Sequence, residues 1–230
     1  MKLYILIFIS ILTSCDSIHK NSNSVNTPKT QLTLSQKIFN NNYCNKIIDN
    51  NYIKICYSYD KKAAKAVEYT LNGDLVNAVN IKERPRFYSE PTLPPKYRAT
   101  YYDYKNSGYE RGHMAPDAAF DWSDESLHAV YTLANIIPQI PDVNEHTWVK
   151  AEEHARKEAV IHGKITVINI VKYDTNSPKI GDNNISVSKG FYKIMYNKDE
   201  NYKECFYYKN EANTSRSLTT HQIDCKDVKL

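Results

Sequence analysis

The sequence predicts a mixed α+β domain. Several segments alternate apolar and polar residues and are rich in β-branched and aromatic side chains, one long segment carries helical periodicity, and strand-like segments lie on both sides of it. The strand candidates are "IKICYSYD" from Ile53, "KAVEYTL" from Lys65, "KITVINIVKY" from Lys164, "FYKIMYN" from Phe191 and "ECFYYK" from Glu204. The third has the fuller apolar run of a buried central strand. Four prolines between Pro85 and Pro95 make "PRFYSEPTLPP" a loop. The helix is expected from Asn144 to His162. Trp148, Ala151, Ala155 and Val160 fall at helical spacing, Asn144 serves as N-cap, Glu145 suits the first turn and Gly163 can end it.

Three segments are expected along the 230 residues. Residues 1–14 read as an export signal: one lysine precedes an apolar run, Leu3 to Leu12, that is too short to span a membrane comfortably. The run ends in Leu12-Thr13-Ser14-Cys15, which resembles a bacterial lipobox. That resemblance implies cleavage before Cys15, lipidation of Cys15, and a protein exported and lipid-anchored to the cell envelope, periplasmic or at the outer surface, that meets the membrane only through that lipid. Residues 15–37 are polar and read as a flexible tether. Residues 38–230 show no internal repeat and no Gly/Ser linker and read as one domain.

Export changes the meaning of the cysteines. With Cys15 lipidated, Cys44, Cys56, Cys205 and Cys225 remain, an even number for an oxidising compartment. Four cysteines allow three pairings, and closeness in sequence favours Cys44 with Cys56 and Cys205 with Cys225. The absence of a C-x-x-C spacing argues against a zinc site.

Composition is ordinary for a globular chain, and a formal charge of +4 with a pI near 8.6 suits a polyanionic partner without specifying one. The sharper signal is "SGYERGHMAP" from Ser107, where acid, guanidinium, glycine and imidazole stand in succession. Downstream, "LANIIPQIPDVNEHTWVKAEEHAR" from Leu133 places Asn135, Gln139, Asn144, Glu152 and Arg156 in order. On an ideal helix Glu152 and Arg156 lie about 80° and 120° from Asn144, so the three share a broad face. An amide oxygen, a carboxylate and a guanidinium together suit a hard cation and a phosphate.

These two segments resemble the DNA/RNA non-specific endonuclease family, the sugar-non-specific nucleases with a ββα-metal site. The matching residues are Glu110-Arg111-Gly112-His113-Met114-Ala115-Pro116, then Asn135-Ile136-Ile137-Pro138-Gln139, then Asn144, Trp148, Glu152 and Arg156. The likeness runs from about Val67 to Tyr196 and includes "KGFYKIMYN". It implies a ββα-metal (His-Me finger) fold whose central, mostly antiparallel sheet is flanked by helices.

The resemblance also implies roles. His113 would be the general base, Asn144 the one direct protein ligand of Mg²⁺ (or Mn²⁺), and Glu152 the holder of metal-bound waters. Arg156 would bind phosphate, and Arg111 would act at the substrate or brace the site. Asn135 would position the loop or the metal's neighbours, and with Glu110 it joins the substrate side, where Arg84 or Arg86 is a further phosphate contact. DNA and RNA are the implied substrates, cut to 5′-phosphate and 3′-hydroxyl ends with little sequence preference. A homodimer is left open. Glu110 stands where the family usually has Asp, and the chain lacks the Gly-Pro that many relatives carry after the central strand. The alternative is a nucleic-acid-binding lipoprotein that keeps the fold without cleaving, motivated by Glu110 and the modest positive charge; a small-nucleotide or lipid-headgroup phosphodiesterase is a third reading. Trp148 is expected to anchor the helix in the core, and His146, His154 and His162 to be solvated.

Overall fold

A computed structural model describes residues 32–230; the expected signal segment, Cys15 and the greater part of the tether lie outside the described residues. The end of the expected tether is helical. Thr33 and Gln36 cap each other reciprocally at the start of α1 (Leu34–Ile38), and Ile38 is buried. Ordered structure thus begins before residue 38, a correction traceable to a capping pair in an otherwise polar stretch.

In chain order the strands are β1 (Lys46–Asp49), β2 (Ile53–Ser58), β3 (Ala63–Asn72), β4 (Glu110–His113), β5 (Ile136–Gln139), β6 (Lys164–Lys172), β7 (Lys179–Ile180), β8 (Ile185–Ser186), β9 (Gly190–Asn197), β10 (Tyr202–Lys209) and β11 (Gln222–Ile223). The helices after α1 are α2 (Asp124–Val130), α3 (Val149–Ile161) and α4 (Leu218–His221). A seven-stranded sheet runs β1-β2-β3-β6-β9-β10-β11, and every neighbouring pair is antiparallel. The five strands expected from alternation all belong to it. β4 and β5 form a separate ribbon, as do β7 and β8. Among the described residues no helix is long and apolar enough to cross a membrane.

β6 is central and covered on both faces, as its apolar run predicts. Ile165, Val167 and Val171 face the larger core, which also holds the β4–β5 ribbon and α3; Ile168 and Ile170 face a second cluster with Ile38, Cys44, Cys56, Ile194 and Cys205. The sheet therefore separates two layers. One carries the ribbon and helix; the other is closed by α1 and the disulfides Cys44–Cys56 and Cys205–Cys225, the pairing favoured by sequence.

The second disulfide closes 20 residues that bring the C-terminal segment back to β10. Replacing Cys205 and Cys225 together by Ser is expected to lower unfolding free energy by roughly 3 kcal/mol, read from denaturant midpoints. The variant should keep the chemistry of the other face.

α3 packs through Ala151, Ala155 and Ala159, all buried, and ends at Gly163, whose φ of 67° is left-handed. Val160, expected to face inward, is 51% exposed because Ala159 takes the inward position one turn after Ala155. The expectation of solvated histidines is corrected for two of them. His154 Nε2 lies 2.6 Å from Glu204 Oε2, and His162 stacks on Tyr202 with ring centres 4.3 Å apart while pairing with Glu158 and Glu200.

Candidate active site

The two sequence motifs are hydrogen-bonded to each other. In the antiparallel β4–β5 ribbon Glu110 faces Gln139, Arg111 faces Pro138, Gly112 faces Ile137 and His113 faces Ile136. Helix follows at once: Val143 and Asn144 already donate backbone hydrogen bonds to Ile140. Asn144 is therefore inside the first turns and is not the N-cap. Val143–Trp148 form a π-turn that runs into α3. Each residue of a wide turn advances by less than the 100° of an α-helix, so the ideal angles from Asn144 to Glu152 and Arg156 do not apply; only Glu152 and Arg156, both within α3, keep their one-turn relation.

His113 is half-buried, and its Nε2 is covered with no hydrogen-bond partner. Phe87 and Tyr131 flank the ring, with centres 5.4 Å and 5.1 Å away. Burial, opposed by Asp117 and assisted by Arg84, pulls the imidazole pKa down to about 4. The ring is neutral at physiological pH and offers a lone pair. Its backbone carbonyl accepts the Trp148 indole N–H at 3.2 Å. Trp148 is the expected core anchor, edge-on to Phe191 and Tyr208. It also ties the ribbon to the helix.

Glu110 meets Asn144. The Asn144 amide donates to Glu110 Oε2 at 2.8 Å, and no hydrogen bond engages Asn144 Oδ1 among the described residues. The carboxylate thus holds the amide nitrogen and leaves the amide oxygen without a partner among those residues.

Asn135 takes the loop-positioning place expected of it rather than a substrate contact. It is wholly buried, accepts the Ala115 N–H at 2.9 Å, and donates to the Ala115 and Val130 carbonyls. It locks the loop after His113 and cannot reach a substrate. Arg84 and Arg86, equivalent in sequence, now separate: Arg84 bridges Asp117 at 3.1 Å and Asp121 at 3.2 Å beside His113, whereas Arg86 is exposed and makes no ion pair among the described residues. Arg111 lies on the Phe87 side, its guanidinium 4.2 Å from the Tyr101 ring centre.

Glu152 is held by Arg156, expected beside it, and by Lys193 and Asp117, which carry no motif. Burial raises its carboxyl pKa to about 7 against the pull of Lys193 and Arg156, and Asp117 adds to the rise. Lys193, on β9, is fully buried; burial draws its ammonium down to about 8 against the opposing field of Glu152. Its Nζ lies 3.3 Å from the Tyr69 hydroxyl and 4.2 Å from the Trp148 ring centre. Lys193 and Asn169 are register partners, and Asn169 donates to the Met114 carbonyl just after His113. The sheet face under the ribbon is thus a polar seat made by Tyr69, Asn169 and Lys193. The available signal was positional: Lys193 occupies an inward place between Phe191 and Met195 in "FYKIMYN", where an apolar residue is the norm. Asp117, which accepts the Tyr131 hydroxyl at 2.9 Å, is the other residue sequence reading passed over.

Gly112 is required by close approach. A Cβ there would fall 1.8 Å from Gln139 Oε1 and 2.5 Å from its Cγ, and Gln139 is itself buried. Gly112→Ala should splay the ribbon, lower Tm and abolish the activity of the site. A thermal melt together with a functional assay checks this, and an unshifted melt with normal activity would refute it.

A paired ribbon followed directly by a helix, seated on a large antiparallel sheet, defines the ββα class of nuclease fold. The chain belongs to the DNA/RNA non-specific endonuclease family, whose match covers residues 31–229, more at both ends than the motifs alone suggest. It is similar to mitochondrial endonuclease G of Bos taurus (25% identical over 155 residues, 61% of this chain and 50% of that protein). It is also similar to a nuclease of Nostoc sp. (34% over 121 residues, 52% and 43%) and to the mitochondrial nuclease EXOG of Homo sapiens (28% over 164 residues, 62% and 44%). The chain spans about half the length of the curated relatives it matches. A chain of the crystal structure of the EndoG/EndoGI complex shares the fold, with a TM-score of 0.69 at 19% identity over 78% of this chain and 80% of that one.

Proposed function

We propose that the protein is a divalent-metal-dependent endonuclease that hydrolyses phosphodiester bonds of DNA and RNA without sequence preference, leaving 5′-phosphate ends. The observation that carries this reading is a neutral His113 imidazole with an unpartnered Nε2, on the same strand as the carboxylate that orients Asn144.

The residues fit a hard cation. Asn144 Oδ1 is left free by Glu110, and Glu152 is a half-buried carboxyl that a nearby cation would keep ionised. Among the described residues no three His, Cys, Asp or Glu side chains converge as a metal cage, which suits an ion that keeps most of its waters. We favour Mg²⁺, with Mn²⁺ as a substitute. When bound, the ion polarises the phosphate and stabilises the leaving 3′ oxygen. His113 accepts the proton of the water that attacks phosphorus. Arg156, without an ion pair among the described residues, is available to bind phosphate and to offset charge that builds up on it. Arg84 and Asp117 set the field around the imidazole.

Family membership, the net charge of +4 and this donor set support nucleic acid as substrate. Two disulfides fit an oxidising compartment, so we further place the protein outside the cytoplasm, anchored through lipid on Cys15. The test uses supercoiled plasmid and RNA with Mg²⁺ or EDTA, beside His113→Ala. Metal-dependent loss of both substrates, absent in the variant, is expected. Intact substrates with wild-type protein, together with salt-sensitive DNA binding, would replace the nuclease reading with that of a binding protein.

A further inference from the structure

One wall of the cleft is aromatic. Phe87, Tyr101, Tyr102, Tyr109, Lys105 and Arg111 line a depression of about 720 Å³ that is continuous with Glu110 and Asn144. Tyr102 is 76% exposed and Tyr101 47%, and no other aromatic side chain among the described residues is as open. Their rings stand edge to face, at 90° with centres 5.9 Å apart. The Arg111 guanidinium, a flat cation, lies 4.2 Å from the Tyr101 ring centre and also faces Phe87 at 5.5 Å. Packing stability does not explain two open tyrosines on the rim of a cleft, because exposed aromatic area is left in contact with water.

We propose that this wall is a stacking subsite for unpaired nucleobases. A strand whose phosphate sits at His113 and Asn144 lays a neighbouring base on Tyr102, with Lys105 and Arg111 beside the flanking phosphates. Each base has a π-face, so stacking adds affinity without adding sequence preference. In a duplex those faces are covered by neighbouring base pairs, so the wall serves single strands and helix ends. The inference rests on nucleic acid as the substrate and adds a preference for single-stranded over duplex substrate.

The test compares wild type, Tyr102→Ala and Tyr102→Phe in the full chain. Substrates are an oligothymidylate, a duplex of equal length and an oligothymidylate carrying abasic sites. Tyr102 is exposed, so its replacement leaves the fold in place. With Mg²⁺, Tyr102→Ala should raise KM for the single strand about tenfold at unchanged kcat, Tyr102→Phe should restore it, and duplex cleavage should not change. Wild type should handle the abasic strand as poorly as Tyr102→Ala handles the intact one. Equal behaviour of all three proteins on the single strand, or equal losses on single strand and duplex, would overturn the subsite. Fluorescence anisotropy in EDTA reads the same comparison as binding. If no substrate is cut, the nuclease reading fails and this arm still decides: weaker single-strand binding by Tyr102→Ala supports the subsite, and unchanged binding removes it.

Discussion

His113→Ala should lower kcat/KM on plasmid DNA by about 10²–10⁴-fold while the protein stays folded, the loss expected for the general base we propose. The pH profile of the wild type gives the same group a second signature. Burial holds the imidazole pKa near 4, so the acid limb of kcat/KM belongs near pH 4, with little change from this group between pH 6 and 8. Stability follows by linkage. The folded pKa lies below the ordinary value of 6.5, so the unfolded chain takes up a proton between pH 6.5 and 4 that the folded chain refuses. This stabilising contribution is complete above pH 6.5 and is lost as pH falls towards 4. His113→Ala should therefore lose less stability over that window than wild type. Denaturant melts at pH 7 and pH 4.5 read the difference, and parallel losses would show that the imidazole titrates normally.

Lys193→Met carries the other large effect. The ammonium is the leading charge that keeps the Glu152 carboxyl from rising further above its present value near 7. Methionine fills similar volume and removes that charge, so the Glu152 carboxyl ionises at higher pH and holds a cation less readily at neutral pH. Activity should fall about 10–100-fold, the usual range for a residue that supports metal-binding groups from behind. The loss should shrink as pH is raised and Glu152 ionises again, whereas a purely structural lesion would persist at every pH. An unchanged rate and profile would show that Lys193 is a passive buried cation.

Much of this was legible in the chain. "KITVINIVKY" is apolar on both parities because β6 is covered on both faces, and the spacing of "ERGH", "NIIPQ" and the helix residues identifies the site as a unit. What escaped has physical reasons. β4 and β5 are four residues each, and glycine and proline within them break the alternation that marks a strand. The π-turn cannot be read from periodicity, since it is a departure from the period itself. Lys193 and Asp117 act through neighbours brought together by sheet register and by the Arg84 bridge, which depend on tertiary structure. Glu110 is legible as part of the motif, but its hydrogen bond to Asn144 depends on the pairing of ribbon and helix in three dimensions.

The division of the sheet into two layers also fixes how the molecule can be held. α1 packs on the layer opposite the ribbon and helix, and Val228 at the other end of the chain packs against the same cluster. Both ends of the described chain therefore leave from the back of the sheet. A group joined close to Leu34 or Val228 would meet the domain on the face opposite the ribbon and α3. Attachment there leaves the ribbon and helix face uncovered by the link itself.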